Sequence, residues 1–488
     1  MVLKLLKSSF RFVEIVSKYV IFSLAMLLRS SYNYFVDRSD GVMGYNARTG
    51  TFALLNDDAA RMLRGNSPLD SVQNEEKLIE ELIHMGFLHF GDEKVQIHER
   101  FNQARQQSNL VLLTLTPTLA CNFSCDYCYQ SDYRVSRIWS SETQVATLRF
   151  ISHLLEQGRK DVFITWYGGE PLLAKSIVLR FSEQVRELIK TSGGKLHRLE
   201  MVTNGTLLNR KVAEELKNVG ISEIQISLDS LFFKHPNKRG ILNQSGMPSI
   251  ILQNIVNARD ILKITIRINV SPTNEKDIDK IQSFLNELGF AGSYYFARVD
   301  SDDEDSQDYS IPEQPVFATK DNSLVKVNSL NTNTNCTSCH ASGSATLDRK
   351  LYAIFEQQLL ERNCESWKLL IKKLTPKKHF CSATTGAMFV IDPDGYINRC
   401  WRSAGQPEEA IGSVHDEMPI YDHHVEKTWL GYSPFSYSDC SECKVLPLCM
   451  GGCSYPRLFK NAKTAPCTAI RDQIDYCVNE VGRRLTTP

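Results

Sequence analysis

The sequence lacks an excess of either charge: lysine plus arginine and aspartate plus glutamate number 56 each in 488 residues. That balance removes the electrostatic case for a nucleic-acid partner, which needs basic surface to meet phosphate. The chain also lacks a long apolar run. The uncharged stretch from Tyr19 to Leu28 falls well short of the roughly 20 residues that a membrane-spanning helix needs. No small-residue cleavage site clearly follows it, so no cleavable secretory signal is expected. Residues 9–35 are read as an amphipathic helix packed on the body or on a partner, in preference to one lying on a membrane surface. A cytoplasmic location is expected.

What remains is an ordinary globular composition, 42% apolar and 23% charged, with length for two to four domains at roughly 150 residues each. The 14 cysteines are the exception. They cluster at short spacings in a chain too large to need disulfide staples. Such spacing points to metal or redox chemistry.

Organisation follows from periodicity. Residues 1–40 form the N-terminal segment. In 41–105, GVMGYNARTGTFALLN reads as strand, turn and strand, DDAARMLRG and EEKLIEELIHMG as helices, and FLHF as a short strand. This outline suggests a winged-helix-like module. Residues 108–300 repeat a βα beat: VLLTLTP, DVFITWYG, RLEMVTNG, EIQISLD, ITIRINV and SYYFARV alternate with helical stretches at 141–158, 172–191, 209–218, 248–260 and 275–288. Six such units imply an α/β fold with a parallel sheet, open or as a partial (β/α)6 barrel, and ligands at the C-terminal strand ends. Residues 301–375 read as an insertion followed by a helix. Residues 376–488 read as a loop-rich domain with little core, stabilised by metal.

The motifs sit at those strand ends. Cys121, Cys125 and Cys128, in CNFSCDYC, follow the first strand of the repeat. Three local thiolates can hold three irons of a four-iron cluster and leave the fourth open. Gly168-Gly169-Glu170-Pro171 ends the second strand, Thr203-Asn204-Gly205 the third and Ser227-Leu228-Asp229 the fourth, with Arg239 further on. Together these resemble the radical S-adenosylmethionine (SAM) enzymes. The resemblance implies that the open iron chelates the methionyl moiety of SAM and that reductive cleavage gives a 5′-deoxyadenosyl radical. It places Tyr127 beside adenine, Gly168, Gly169 and Glu170 at the methionyl amino group, and Asn204, Ser227 and Asp229 near the carboxylate and ribose. Arg239 is a further carboxylate partner.

Cys381, Cys400, Cys440, Cys443, Cys449, Cys453 and Cys467 follow in the C-terminal region. Their pattern resembles the SPASM extension, which holds two auxiliary [4Fe-4S] clusters. That resemblance implies a first cluster on Cys381, Cys400 and Cys453 and a second on Cys440, Cys443, Cys449 and Cys467, with Cys477 competing for the last place. Residues 365–380 hold no cysteine to complete the first set. Cys336, Cys339, Cys364 or an open iron are the alternatives. Cys336-Thr337-Ser338-Cys339-His340 also matches a haem-attachment pattern, which conflicts with cytosolic clusters.

The implied protein is an enzyme with three [4Fe-4S] clusters and SAM. It abstracts hydrogen from a peptide or protein, and flavodoxin or ferredoxin is its electron donor. A maturase forming thioether or C–C cross-links in a ribosomal peptide is the leading expectation, because residues 41–105 look like a leader-recognition module. Anaerobic formylglycine generation on a sulfatase is the alternative. A non-enzymatic iron–sulfur carrier is the rival class.

Overall fold

The computed structural model describes residues 27–65, 76–106, 109–125, 127–133, 136–232, 239–242, 249–271, 274, 277–290, 293–299, 316–318, 324–326, 350, 352–353, 356–357, 367–417, 424–463 and 467–486. Cys336, Cys339, His340, Cys364 and most of the expected N-terminal helix lie outside them. No helix of the described residues is long and apolar enough to cross a membrane.

The helical reading fails over residues 27–35, the part of it that is described. Leu27–Arg29 (β1) and Asn33–Arg38 (β2) are strands. β2 pairs antiparallel with Gly41–Asn46 (β3), which pairs with Thr51–Leu55 (β4), while β1 pairs with Leu88–Phe90 (β5). β2 divides its side chains with period two. Phe35 packs into a core with Leu55 and Leu63, and Tyr34 and Val36 pack into another. A helix cannot serve two opposite faces with adjacent residues in this way. The expected helices are present at Asp57–Arg64 and Glu76–Met85. The first is capped by Asn56, whose side chain accepts from the Ala59 N–H, and ends at Gly65 with φ +86°. A further helix, Glu93–Arg105, starts at the Asp92 cap.

The βα repeat is realised closely. Leu110–Leu115 (β6), Asp161–Trp166 (β7), Lys195–Thr203 (β8) and Glu223–Leu228 (β9) lie side by side in parallel. Ser230–Phe232 (β10) and Gly240–Leu242 (β11) form a small separate pair. Lys263–Val270 (β12) and Tyr294–Arg298 (β13) complete the six. Helices Ser141–Glu156, Lys175–Thr191, Arg210–Asn218, Ile250–Ala258 and Ile278–Glu287 alternate with them. Val316–Ala318 (β14) and Leu324–Lys326 (β15) form an antiparallel pair.

The C-terminal region has more core than the expected loop-rich domain with little core. Met388–Ile391 (β16) lies parallel to β6, Met388 opposite Leu112 and Ile391 opposite Leu115, and Tyr396–Asn398 (β17) and Gly412–Ser413 (β18) extend the same sheet. The nine strands run β13-β12-β9-β8-β7-β6-β16-β17-β18. All four β16 residues are buried, and Ile397, Ile411, Trp429 and Tyr455 join the central core. Hydrophobic burial therefore supports this region alongside any metal. A four-residue apolar run carries no periodicity, so the sequence pattern could not assign it.

A second core unites the chain ends. Tyr32, Met43 and Tyr45 of the N-terminal module pack with Leu374, Val445, Leu448 and Val478. The expected separate module thus shares its interior with the cysteine-rich domain.

Candidate functional site

The loop after β6 carries Cys121, Cys125 and Cys128 at the C-terminal edge of the sheet, as parallel topology dictates for a ligand site. The glycines of the β7 turn serve this loop. Gly168 has φ +121°, and a Cβ there would collide with the Thr118 carbonyl oxygen; one on Gly169 would collide with those of Leu119 and Ala120. The Gly169 and Glu170 N–H groups donate to Thr118 O at 3.2 Å and Ala120 O at 2.8 Å. The close backbone approach that requires glycine is thus to the chain leading into Cys121.

Glu170 is fully buried. Its carboxylate accepts from Leu172 N–H (3.0 Å), Asn204 N–H (2.7 Å) and the Thr203 hydroxyl (2.8 and 2.9 Å). Burial raises its pKa against the pull of those donors. In this structure the carboxylate ties the β7 turn to the end of β8. Asn204 is thereby placed so that its amide donates to Asn122 Oδ1 at 2.7 Å and lies 3.9 Å from Cys121 Sγ. Phe123 N–H donates to Cys121 Sγ at 3.4 Å.

Tyr127, Asp229 and Arg239 meet in one buried network. The Arg239 Nε and N–H both reach Asp229 Oδ2, at 3.0 and 2.9 Å, and the Tyr127 hydroxyl bonds to Asp229 and to Arg239. Asn269, which the sequence reading missed, donates to Tyr127 and Asp229 at 3.0 Å each. Burial alone would raise Asp229; the Arg239 guanidinium overrides it and holds the carboxylate below its ordinary value. The carboxylate that Arg239 engages is thus one of the chain's own. Ser227 is buried on β9 beside this network.

A second group is aromatic: the sequence offers Trp166, Tyr167 and Trp401 as cavity lining, with core packing as the default, and Tyr129 is the member that it missed. The Tyr129 hydroxyl donates to the Tyr167 hydroxyl at 2.7 Å, and Tyr167 stacks on Trp401 at 5.8 Å. These residues link Cys128 to Cys400 by adjacency in the chain. Trp166, by contrast, is core: it is fully buried and donates to Ser182 at 3.0 Å.

The C-terminal cysteines fall into two groups. Burial raises the Cys381 thiol to about 11, and Cys453 adds to the rise. Burial raises Cys400 further, and Cys381 and Cys453 are the thiols that add to it. Cys440, pushed to about 12 by burial, and Cys443 instead both feel Cys449 and Cys467. Cys477 stands apart: it is buried in the second core and raised to about 12 by burial, with Lys373 and Glu356 as its charged neighbours. Met450, Gly451 and Gly452 all have positive φ, at 50°, 84° and 69°. This left-handed run separates Cys449 in one group from Cys453 in the other.

The donor set suits iron–sulfur groups. The eleven described cysteines form no disulfide. Cys381 and Cys400 each accept a backbone N–H two residues on, at 3.5 Å, as Cys121 does. Such N–H···S bonds favour a thiolate, and a bound cation reverses the cost of thiolate burial. Among the described residues no His, Cys, Asp or Glu group is arranged around a single metal ion. A four-iron cluster has one thiolate per iron, so its ligands stand further apart than those of one ion.

Residues 115–285 match the Radical SAM superfamily. This part of the chain is a radical SAM domain. Proteins of that superfamily are enzymes, and the domain covers the three-cysteine loop and β7, β8, β9 and β12. Over 174 residues the chain is 32% identical to a GTP 3',8-cyclase of Peptoclostridium acidaminophilum, covering 36% of this chain and 50% of that one. It is 29% identical to an Fe-coproporphyrin III synthase of Methanosarcina barkeri over 173 residues, 35% and 39% of the two chains. The chain spans about half the length of the first of these relatives. In structure it is similar to native anSMEcpe with bound AdoMet and Cp18Cys peptide, with a TM-score of 0.54 at 17% identity, covering 77% of this chain and 99% of that one. That likeness is one of fold, and it extends beyond the radical SAM domain.

Proposed function

We propose that this chain is a radical SAM peptide maturase with one SAM-binding and two auxiliary [4Fe-4S] centres. The observation that supports the reading is that Cys381, Cys400 and Cys453 belong to or pack against the central core, whereas Cys443 and Cys449 pack against the second. When bound, SAM and its cluster supply a carbon radical able to take hydrogen from an unactivated C–H bond. The chain's own residues bind and orient. Cys121, Cys125 and Cys128 hold the catalytic cluster. Gly168, Gly169 and Glu170 set the loop that carries them, and Asn204 steadies it. The Tyr127–Asp229–Arg239–Asn269 network forms a rigid polar wall where the SAM ribose and carboxylate would lie.

A ribosomal precursor peptide is the substrate in this reading, bound by its leader at the N-terminal sheet, where an added strand would gain main-chain hydrogen bonds. The test is anaerobic reconstitution. Expected are about twelve irons per chain, SAM cleavage under strong reductant, and a mass change in a precursor peptide encoded nearby. A mass change only in a sulfatase-derived cysteine or serine peptide would replace the maturase reading with formylglycine generation. Four irons would end the reading of two auxiliary centres.

A further inference from the structure

The second cysteine group and the N-terminal sheet share a wall. Cys443 and Cys449 pack against the core that holds Tyr32, Met43 and Tyr45, and Tyr34 and Val36 of β2 reach the same core. The Tyr34 hydroxyl is buried there without a hydrogen-bond partner among the described residues. Its neighbour Tyr45 is satisfied, since its hydroxyl donates to the Leu374 carbonyl. A buried hydroxyl with no acceptor is uncommon in a native core and calls for a specific explanation.

The surroundings supply one. Tyr34 packs against the same core as Cys443 and Cys449, and Cys443 and Asp475 are acidic groups near enough to raise its phenol beyond what burial does. For Tyr45 the nearby thiol is instead Cys477, buried in the second core. The phenol O–H has no acceptor among the described residues and lies near Cys443, one of the four thiols that would surround a sulfur-rich group.

We propose that Tyr34 is an outer-sphere donor to the second auxiliary centre, its O–H held for a sulfur of the cluster on Cys440, Cys443, Cys449 and Cys467. This rests on the reading of those cysteines as cluster ligands. The sheet proposed to receive the leader then also forms part of a redox centre. A donor to sulfur stabilises the more negative, reduced form and raises the reduction potential.

The test compares anaerobically loaded full-length wild type, Tyr34→Phe and Tyr45→Phe by iron content and by potentiometric EPR titration. The second centre's signal is identified as the one absent from a Cys440→Ala/Cys443→Ala variant. In Tyr34→Phe that signal should keep its iron and titrate at a lower potential than in wild type, while Tyr45→Phe should match wild type. Loss of that signal alone in Tyr34→Phe would also support the assignment. An unchanged midpoint, or an equal shift in Tyr45→Phe, would overturn it. If wild type shows no signal that the double variant removes, the cluster reading itself has failed.

Discussion

Replacing Glu170 separates a structural role from direct contact with ligand. The carboxylate is fully buried and receives three protein donors: Leu172 N–H, Asn204 N–H and the Thr203 hydroxyl. Alanine orphans all three. Each buried donor left without a partner costs about 1–3 kcal/mol. Water entering the space returns part of this, so Glu170→Ala should cost about 3–5 kcal/mol. Glutamine keeps one acceptor oxygen but turns an amide N–H toward a backbone donor. It should lose one charge-assisted bond, about 1.5–3 kcal/mol. A domain of this size loses about 2–4 °C per kcal/mol. Thermal unfolding followed alongside SAM binding should therefore rank wild type above Glu170→Gln above Glu170→Ala, with binding weakened in step because Asn204 and the Cys121 loop lose their anchor. If Glu170→Gln melts with wild type yet no longer binds SAM, the carboxylate touches the ligand and the structural account is wrong.

Cys467→Ala should lose about four irons, whereas Cys477→Ala should keep its full complement; equal iron in both variants would contradict the grouping of the thiols. Asp392 is buried and its pKa is raised from 3.8 to about 6, chiefly by burial. The folded state then holds the proton more tightly between about pH 4 and 6, so this group favours the fold at low pH and its contribution falls by up to roughly 3 kcal/mol as pH rises through that window. Asp392→Asn should flatten that slope in melts at pH 4.5 and 6.5, and an unaltered slope would show that the group is ionised throughout. Glu426 pairs with the buried Arg399, so Glu426→Gln should destabilise by about 3–5 kcal/mol by leaving a buried cation; at about 2–4 °C per kcal/mol, a melt within about 2 °C of wild type would refute this. Removal of residues 1–105 should expose the core shared by Tyr32, Tyr45, Leu448 and Val478 and yield aggregated protein, as size-exclusion chromatography would show.

The sequence by itself determined the radical SAM core. Alternation of β-branched runs with helical stretches is a local property, and six strands with five intervening helices appear where the pattern places them. The cysteine spacings are equally local: three thiols within eight residues must share one loop, whatever the rest of the chain does. Tertiary structure decided everything that depends on which distant surfaces meet. Period-two burial of β2 is visible only when Tyr34 and Phe35 have cores on opposite sides of them. MFVI became a strand because β6 offered an open edge for it. Glu170 and Arg239 pointed, by type, at an ammonium and a carboxylate, yet here the first is enclosed by backbone N–H groups and the second by Asp229. Cys467 and Cys477 are equivalent in spacing arguments. The C-terminal helix carries Cys477 into an apolar interior, while Cys467, just before that helix, stays with Cys440 and Cys443. A side chain's partners are set by the packing of elements far apart in sequence, and no local pattern encodes them.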